Sequence, residues 1–153
     1  MSIAIGDKLP SIEVSTTRTE NLNLSDFTGS GLVLYFYPKD NTPGCTTQGQ
    51  AFRDAYAQFQ KLGYEIVGVS RESIKSHTNF INKHEFPFDL ISDPDETLCK
   101  MFDVIKEKKM YGKTFLGIER STFIFDQSGK LTDEIRKVKV KGHIDDVLAR
   151  ISS

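Results

Sequence analysis

The chain has 153 residues, of which 38 % are hydrophobic and 27 % charged, and its formal net charge at pH 7 is −1. That length supports one domain with a real core, so residues 1–153 are read as a single domain. Near-neutral charge argues against nucleic acid or an anionic membrane as the main partner, and no apolar run approaches the ~20 residues that span a bilayer. The first residues lack a basic stretch followed by an apolar one, so no secretory leader is expected. Two cysteines, Cys45 and Cys99, cannot make a disulfide framework or a Cys-x-x-Cys centre, and a reducing, cytoplasmic setting is the expectation.

In chain order, short β-like pieces are predicted around Ile12-Glu-Val14 and Leu22-Asn-Leu24. Ser25-Asp26 and Gly29-Ser-Gly31 are turn signals that lead into a buried strand over residues 32–37. Phe52, Ala55, Tyr56 and Phe59 fall at helical spacing, which predicts a helix near 46–61 with Gly63 as its C′ residue. Tyr64 to Ser70 reads as a second buried strand. A polar helix follows around 73–84, with Ile74 and Ile81 on one face. Phe88 to Ile91 is a short strand, and Asp93-Pro94 opens a helix holding Leu98, Cys99 and Phe102. No element is assigned between that helix and Ser121.

Ser121–Phe125 and Leu131 to Val140 read as strands joined by Asp126-Gln-Ser-Gly129. Gly142 precedes a last helix with Ile144, Val147, Leu148 and Ile151 on its apolar face. Alternating β and α elements followed by a hairpin and a helix imply a central mixed sheet flanked by helices. With the N-terminal β extension, this is the outline of a thioredoxin-like α/β fold.

The chemistry concentrates in Pro38-Lys-Asp-Asn-Thr42-Pro-Gly-Cys45, between a predicted strand and a predicted helix. Unsatisfied N–H groups and the positive dipole end at a helix start lower a thiol's pKa, and the thiolate is the reactive form. An inert packing cysteine would sit on the apolar face with Phe52 and Phe59, whereas Cys45 is followed by the polar run Thr46-Thr47-Gln48. Redox chemistry at one cysteine is the reading.

These residues also resemble a family. Pro38-x-x-x-Thr42-x-x-Cys45 is similar to the active-site motif of the peroxiredoxins, and the longer string Tyr35 to Gln48 resembles the peroxiredoxin Q, or bacterioferritin comigratory protein, branch. The likeness continues at Gly68-Val-Ser70, Ser76-His77, Ile91-Ser-Asp93, Lys109-Met-Tyr-Gly112 and Gly117-Ile-Glu-Arg-Ser-Thr-Phe123, nearly the whole chain in order. The resemblance implies a thiol-dependent peroxidase in which the Cys45 thiolate attacks a hydroperoxide and becomes a sulfenic acid. By the same resemblance, Thr42 hydrogen-bonds thiolate and peroxide, Pro38 shields the site, and Arg120 supplies positive charge and donors. Backbone N–H groups at Gly44 and Cys45 complete the donor set, and Gln48 supports the site where many peroxiredoxins carry glutamate.

The two positions at which the branch places a resolving cysteine are Gln50 and Ile81 here. A one-cysteine cycle is therefore implied, with thioredoxin, glutaredoxin or a low-molecular-weight thiol as external reductant, in a monomer or weak homodimer. Cys99, flanked by Leu98, Met101 and Phe102, reads as a buried packing residue. His77, His84 and His143 have no metal-ligand spacing, and neither metal nor cofactor is implied. Lys137-Val-Lys-Val-Lys141 alternates as a half-exposed strand. Two other classes stay open: a peroxide sensor or holdase-type switch using the same cysteine, and a thiol–disulfide oxidoreductase, which the absent second thiol disfavours.

Overall fold

The structure, a computed structural model, describes residues 3–17, 22–27 and 29–152. Its elements are β1 (Glu13–Thr16), β2 (Leu22–Asn23), β3 (Gly31–Phe36), α1 (Pro43–Lys61), β4 (Tyr64–Ser70), α2 (Ile74–His84) and β5 (Asp89–Ser92). They continue with α3 (Thr97–Met101), β6 (Ile105–Met110), β7 (Lys113–Ile118), β8 (Ser121–Phe125), β9 (Leu131–Ile135) and α4 (His143–Ser152). Seven strands form one mixed sheet in the order β2-β1-β5-β4-β3-β8-β9. Within it β3, β4 and β5 are parallel, because α1 and α2 carry the chain back across the sheet, while β1, β8 and β9 join antiparallel. This is the thioredoxin-like α/β architecture.

Alternation along β3 divides the core in two. Leu32, Leu34 and Phe36 face a cluster with Leu98, Cys99 and Phe102 from α3 and its exit. Val33, Tyr35 and Tyr37 face the other side, where α1 brings Phe52 and Phe59, α2 brings Phe80, and α4 brings Val147. Cys45 belongs to this second cluster. The sheet therefore stands between the two cysteines.

Several expectations are corrected. The Leu131–Val140 run stops as a strand at Ile135; Lys137 takes φ +51°, which no strand accommodates, so residues 137–141 are not a half-exposed strand. On α2 Ile74 and Ile81 are both half-buried on one face, as expected, but the fully buried residues are His77 and Phe80. The helix expected from Asp93 begins at Thr97, because Glu96 is left-handed (φ +62°); Asp93 instead accepts hydrogen bonds from the Leu98 and Cys99 N–H groups at 3.1 and 2.8 Å. Residues 105–118, assigned nothing from sequence, form the β6–β7 hairpin.

Candidate active site

Where β3 ends, the chain turns through residues 38–42 into α1. Pro43 occupies the first helical position, where its fixed φ suits the helix and its absent N–H is not needed. The helix thus starts three residues before the expected 46, which puts Cys45 inside its first turn. Thr42 is the N-cap by backbone geometry, yet its hydroxyl does not cap the helix. It donates instead to the Lys39 carbonyl oxygen at 2.8 Å, so its proton is not aimed at the Cys45 sulfur and its lone pairs are what it offers a ligand. The Gly44 and Cys45 N–H groups have no intrahelical acceptor at these positions, and Thr42 does not claim them. No acidic residue lies in this first turn, so the positive end of the helix dipole is uncompensated.

Arg120 reaches the site through strand register. Antiparallel pairing of β3 with β8 sets Phe36 opposite Ser121, so the residue before β8 stands beside the exit of β3. Arg120 Nη2 donates to Cys45 Sγ at 3.5 Å, and Nη1 donates to Gln48 Oε1 at 2.6 Å. The guanidinium fork therefore holds the sulfur and an orienting amide at once. Gly44 gives it room, since a Cβ there would lie 3.1 Å from Nη2. The Val138 N–H donates to the Arg120 carbonyl oxygen at 2.9 Å, which gives the 137–141 segment a role in holding Arg120. On β6, Lys108 lies in the field of Arg120; burial first, then that charge, pull its ammonium pKa down.

Of the residues anticipated from sequence, Arg120, Gln48 and Cys45 meet directly, Thr42 lies one turn before the sulfur, and Pro38 is half-buried at the start of the loop. Cys45 itself is only 2 % exposed. Sequence reasoning missed a polar group beneath the loop: Tyr35, Tyr37, Asp40 and His77, all buried. Burial, followed by the charges of Cys45 and Asp40, pushes the Tyr35 phenol pKa well up, so that hydroxyl stays protonated. Alternation of Tyr37 onto the Cys45 side of β3 was the available signal, because a buried phenol calls for a partner, which Tyr37 finds in Asp40. The buried Tyr35 hydroxyl, in contrast, has no hydrogen-bond partner among the described residues.

Cys99 has the opposite surroundings. Burial first, then the Asp93 carboxylate, push its thiol pKa far up, so it remains an uncharged thiol. Gln50 contacts His84 Nδ1 at 3.4 Å and Ile81 packs beside the Cys45 cluster, so neither branch-typical resolving position carries a thiol. Among the described residues, no three His, Cys, Asp or Glu side chains converge as a metal site, and no helix is long and apolar enough to cross a membrane.

Residues 5–134 match the AhpC/TSA family. The chain belongs to this family, the peroxiredoxins. It is 49 % identical to peroxiredoxin Bcp of Bacillus subtilis over 148 residues, covering 97 % of this chain and 94 % of that one. The Xanthomonas campestris bacterioferritin comigratory protein, studied for its alkyl peroxide reduction activity, superposes with a TM-score of 0.89 at 49 % identity over 97 % of this chain and 98 % of that one. A Xylella fastidiosa PrxQ mutant superposes at 0.92 with 44 % identity, covering 99 % and 97 %. As a peroxiredoxin of the Q branch, the chain is a thiol-dependent peroxidase, an oxidoreductase that consumes a hydroperoxide and a thiol reductant.

Proposed function

We propose that Cys45 is the peroxidatic cysteine and that it works without a second thiol of its own chain. The observation that carries this is the Arg120 guanidinium 3.5 Å from Sγ, at a helix N-terminus with free N–H groups. The Cys45 thiolate attacks the distal oxygen of hydrogen peroxide or a small organic hydroperoxide. An S–O bond forms as the O–O bond breaks, and the electron pair leaves on the other oxygen. That oxygen takes the proton released when the thiol ionised and departs as water or an alcohol. Arg120 and the Gly44 and Cys45 N–H groups stabilise the charge as it moves, the Thr42 hydroxyl oxygen accepts a hydrogen bond from the peroxide O–H, and Pro38 limits water at the loop.

Cys45 is left as a sulfenic acid. An external thiol then attacks the sulfur and releases water as a mixed disulfide forms, and a second thiol frees Cys45 and carries away the disulfide. Thioredoxin, glutaredoxin or a low-molecular-weight thiol fills this role, since Cys99 lies across the sheet in another cluster. A disulfide needs Cα atoms within about 7 Å. Both cysteines are free, which suits a reducing cytoplasm. Every group named comes from one chain, so a monomer or a weak homodimer suffices. The test is one equivalent of peroxide followed by a sulfenic-acid trap and peptide mass analysis. A trapped adduct on Cys45 is expected; a Cys45–Cys99 disulfide would overturn the one-cysteine cycle.

A further inference from the structure

The loop between β3 and α1 is anchored from below by ionisable groups that the peroxidase chemistry leaves unused. Asp40 lies two residues before Thr42 and is 5 % exposed, and His77 on α2 is fully buried. His77 Nδ1 stands 2.7 Å from Asp40 Oδ2, and its Nε2 stands 2.9 Å from the Ile91 carbonyl oxygen on β5. A carbonyl oxygen can only accept, so Nε2 carries a proton, and a second proton lies between Nδ1 and the carboxylate. Asp40 also accepts from the Tyr37 hydroxyl at 2.6 Å and from the Ser76 hydroxyl at 2.8 Å. Burial and then the Asp40 charge push the Tyr37 phenol pKa well up, which keeps it a donor.

Three donors on one buried carboxylate tie the loop to the end of β3, the first turn of α2 and the middle of β5 together. The anchored segment is one that needs anchoring. Asn41, directly after Asp40, is left-handed at φ +61°, a conformation that a free loop would hold only part of the time. Lys39, directly before, supplies the carbonyl oxygen that orients the Thr42 hydroxyl.

We propose that Asp40 and His77 are positioning residues of the peroxidase, a buried hydrogen-bonded pair that fixes the loop bearing Pro38 and Thr42 at the face of Cys45. The proposal rests on Cys45 being the peroxidatic residue. A misplacement of about 1 Å in a reacting geometry can cost up to about 100-fold in rate, so the pair acts on the first chemical step.

The test is the second-order rate of Cys45 sulfenic acid formation with hydrogen peroxide, read by trapping, in five proteins whose melting curves are also recorded. Asp40→Ala should lose about tenfold or more, and Tyr37→Phe, which removes one of the three donors and keeps the ring, about threefold. Asp40→Asn should stay within about threefold of wild type, because its amide can accept from Tyr37 and donate to His77 Nδ1. Val104→Ala, in the opposite core cluster, serves as the destabilised control and should oxidise at the wild-type rate. Tyr37→Phe keeps the test decisive should Asp40→Ala not fold. Wild-type rates in Tyr37→Phe and in any folded Asp40→Ala would overturn the proposal, as would an equal loss in Val104→Ala. A wild-type protein that gives no Cys45 adduct overturns the peroxidatic assignment itself, a separate and recognisable result.

Discussion

Cys45 and Cys99 are almost equally buried, at 2 % and 0 % exposed, on opposite faces of one sheet. Their charged neighbours differ in sign. Cys45 sits in the first turn of a 19-residue helix with an arginine fork on its sulfur. Cys99 sits in a five-residue helix beside the Asp93 carboxylate, and burial and that charge hold its proton in place. If Cys45 is the reacting thiol, as proposed, burial alone does not decide whether a cysteine reacts. Both cysteines are the third residue of their helix, so the helix start is common to them, and what separates them is the sign of the charge beside the sulfur, Arg120 at Cys45 and Asp93 at Cys99.

The sharpest way to break this contrast is to exchange the thiols for hydroxyls one at a time. Cys45→Ser should lower peroxide turnover by about 10⁴-fold or more, since a serine at that site remains a neutral alcohol. Peroxide consumption with added thiol is the measurement, and retained turnover in Cys45→Ser would sink the assignment. Next in size is Arg120. Arg120→Ala should slow Cys45 oxidation by about 100-fold, the scale lost when a preorganised transition-state donor is removed. Arg120→Lys should recover only part of it, because one ammonium cannot hold Sγ and Gln48 Oε1 together as the fork does. Iodoacetamide alkylation near neutral pH should slow in parallel; alkylation at the wild-type rate would mean that the arginine does not act through the sulfur.

How the two sites come to differ is only partly legible in the sequence. The Pro38–Cys45 segment could be read because Pro43 and Gly44 break the apolar run of β3 and a helical period begins at once afterwards. Arg120 could not be found by local pattern: 75 residues separate it from Cys45, and only the β3–β8 register closes that gap. The resemblance to known sequences supplied it. On α2 the apolar rule found the half-buried face of Ile74 and Ile81, but not that His77 between them is buried through its hydrogen bonds to Asp40 and Ile91. The β6–β7 hairpin escaped because Lys106-Glu-Lys-Lys109 shows no apolar alternation. Only its base, Ile105 and Ile118, reaches the core.

A third, smaller effect separates the two faces by stability rather than rate. Cys99→Ser puts a hydroxyl into a cluster of Phe36, Phe102 and Leu98, and should cost about 1–3 kcal/mol while turnover stays near wild type. Urea denaturation checks the first part and the peroxidase assay the second. A loss of turnover in folded Cys99→Ser would assign that thiol a part in the cycle.

An effect of comparable size concerns acid, and it belongs to the Cys45 face. His143 at the start of α4 is 4 % exposed, packs edge-on against Phe52 and lies 2.9 Å from the Thr122 hydroxyl. Burial, with lesser contributions from Arg120 and Arg150, holds its imidazole pKa down at about 4, from 6.5. The unfolded chain therefore takes up a proton below about 6.5 that the folded chain refuses until near 4. The stability due to neutral His143 is complete above 6.5 and drains away as pH falls through that window, by up to about 3 kcal/mol. Urea midpoints measured at falling pH should show this decline in the wild type. His143→Gln keeps a side chain able to meet Thr122 but cannot take up the proton, so its decline should be shallower. Equal slopes in the two proteins would move the acid sensitivity from His143 to other groups, the buried Asp40–His77 pair on the same face among them.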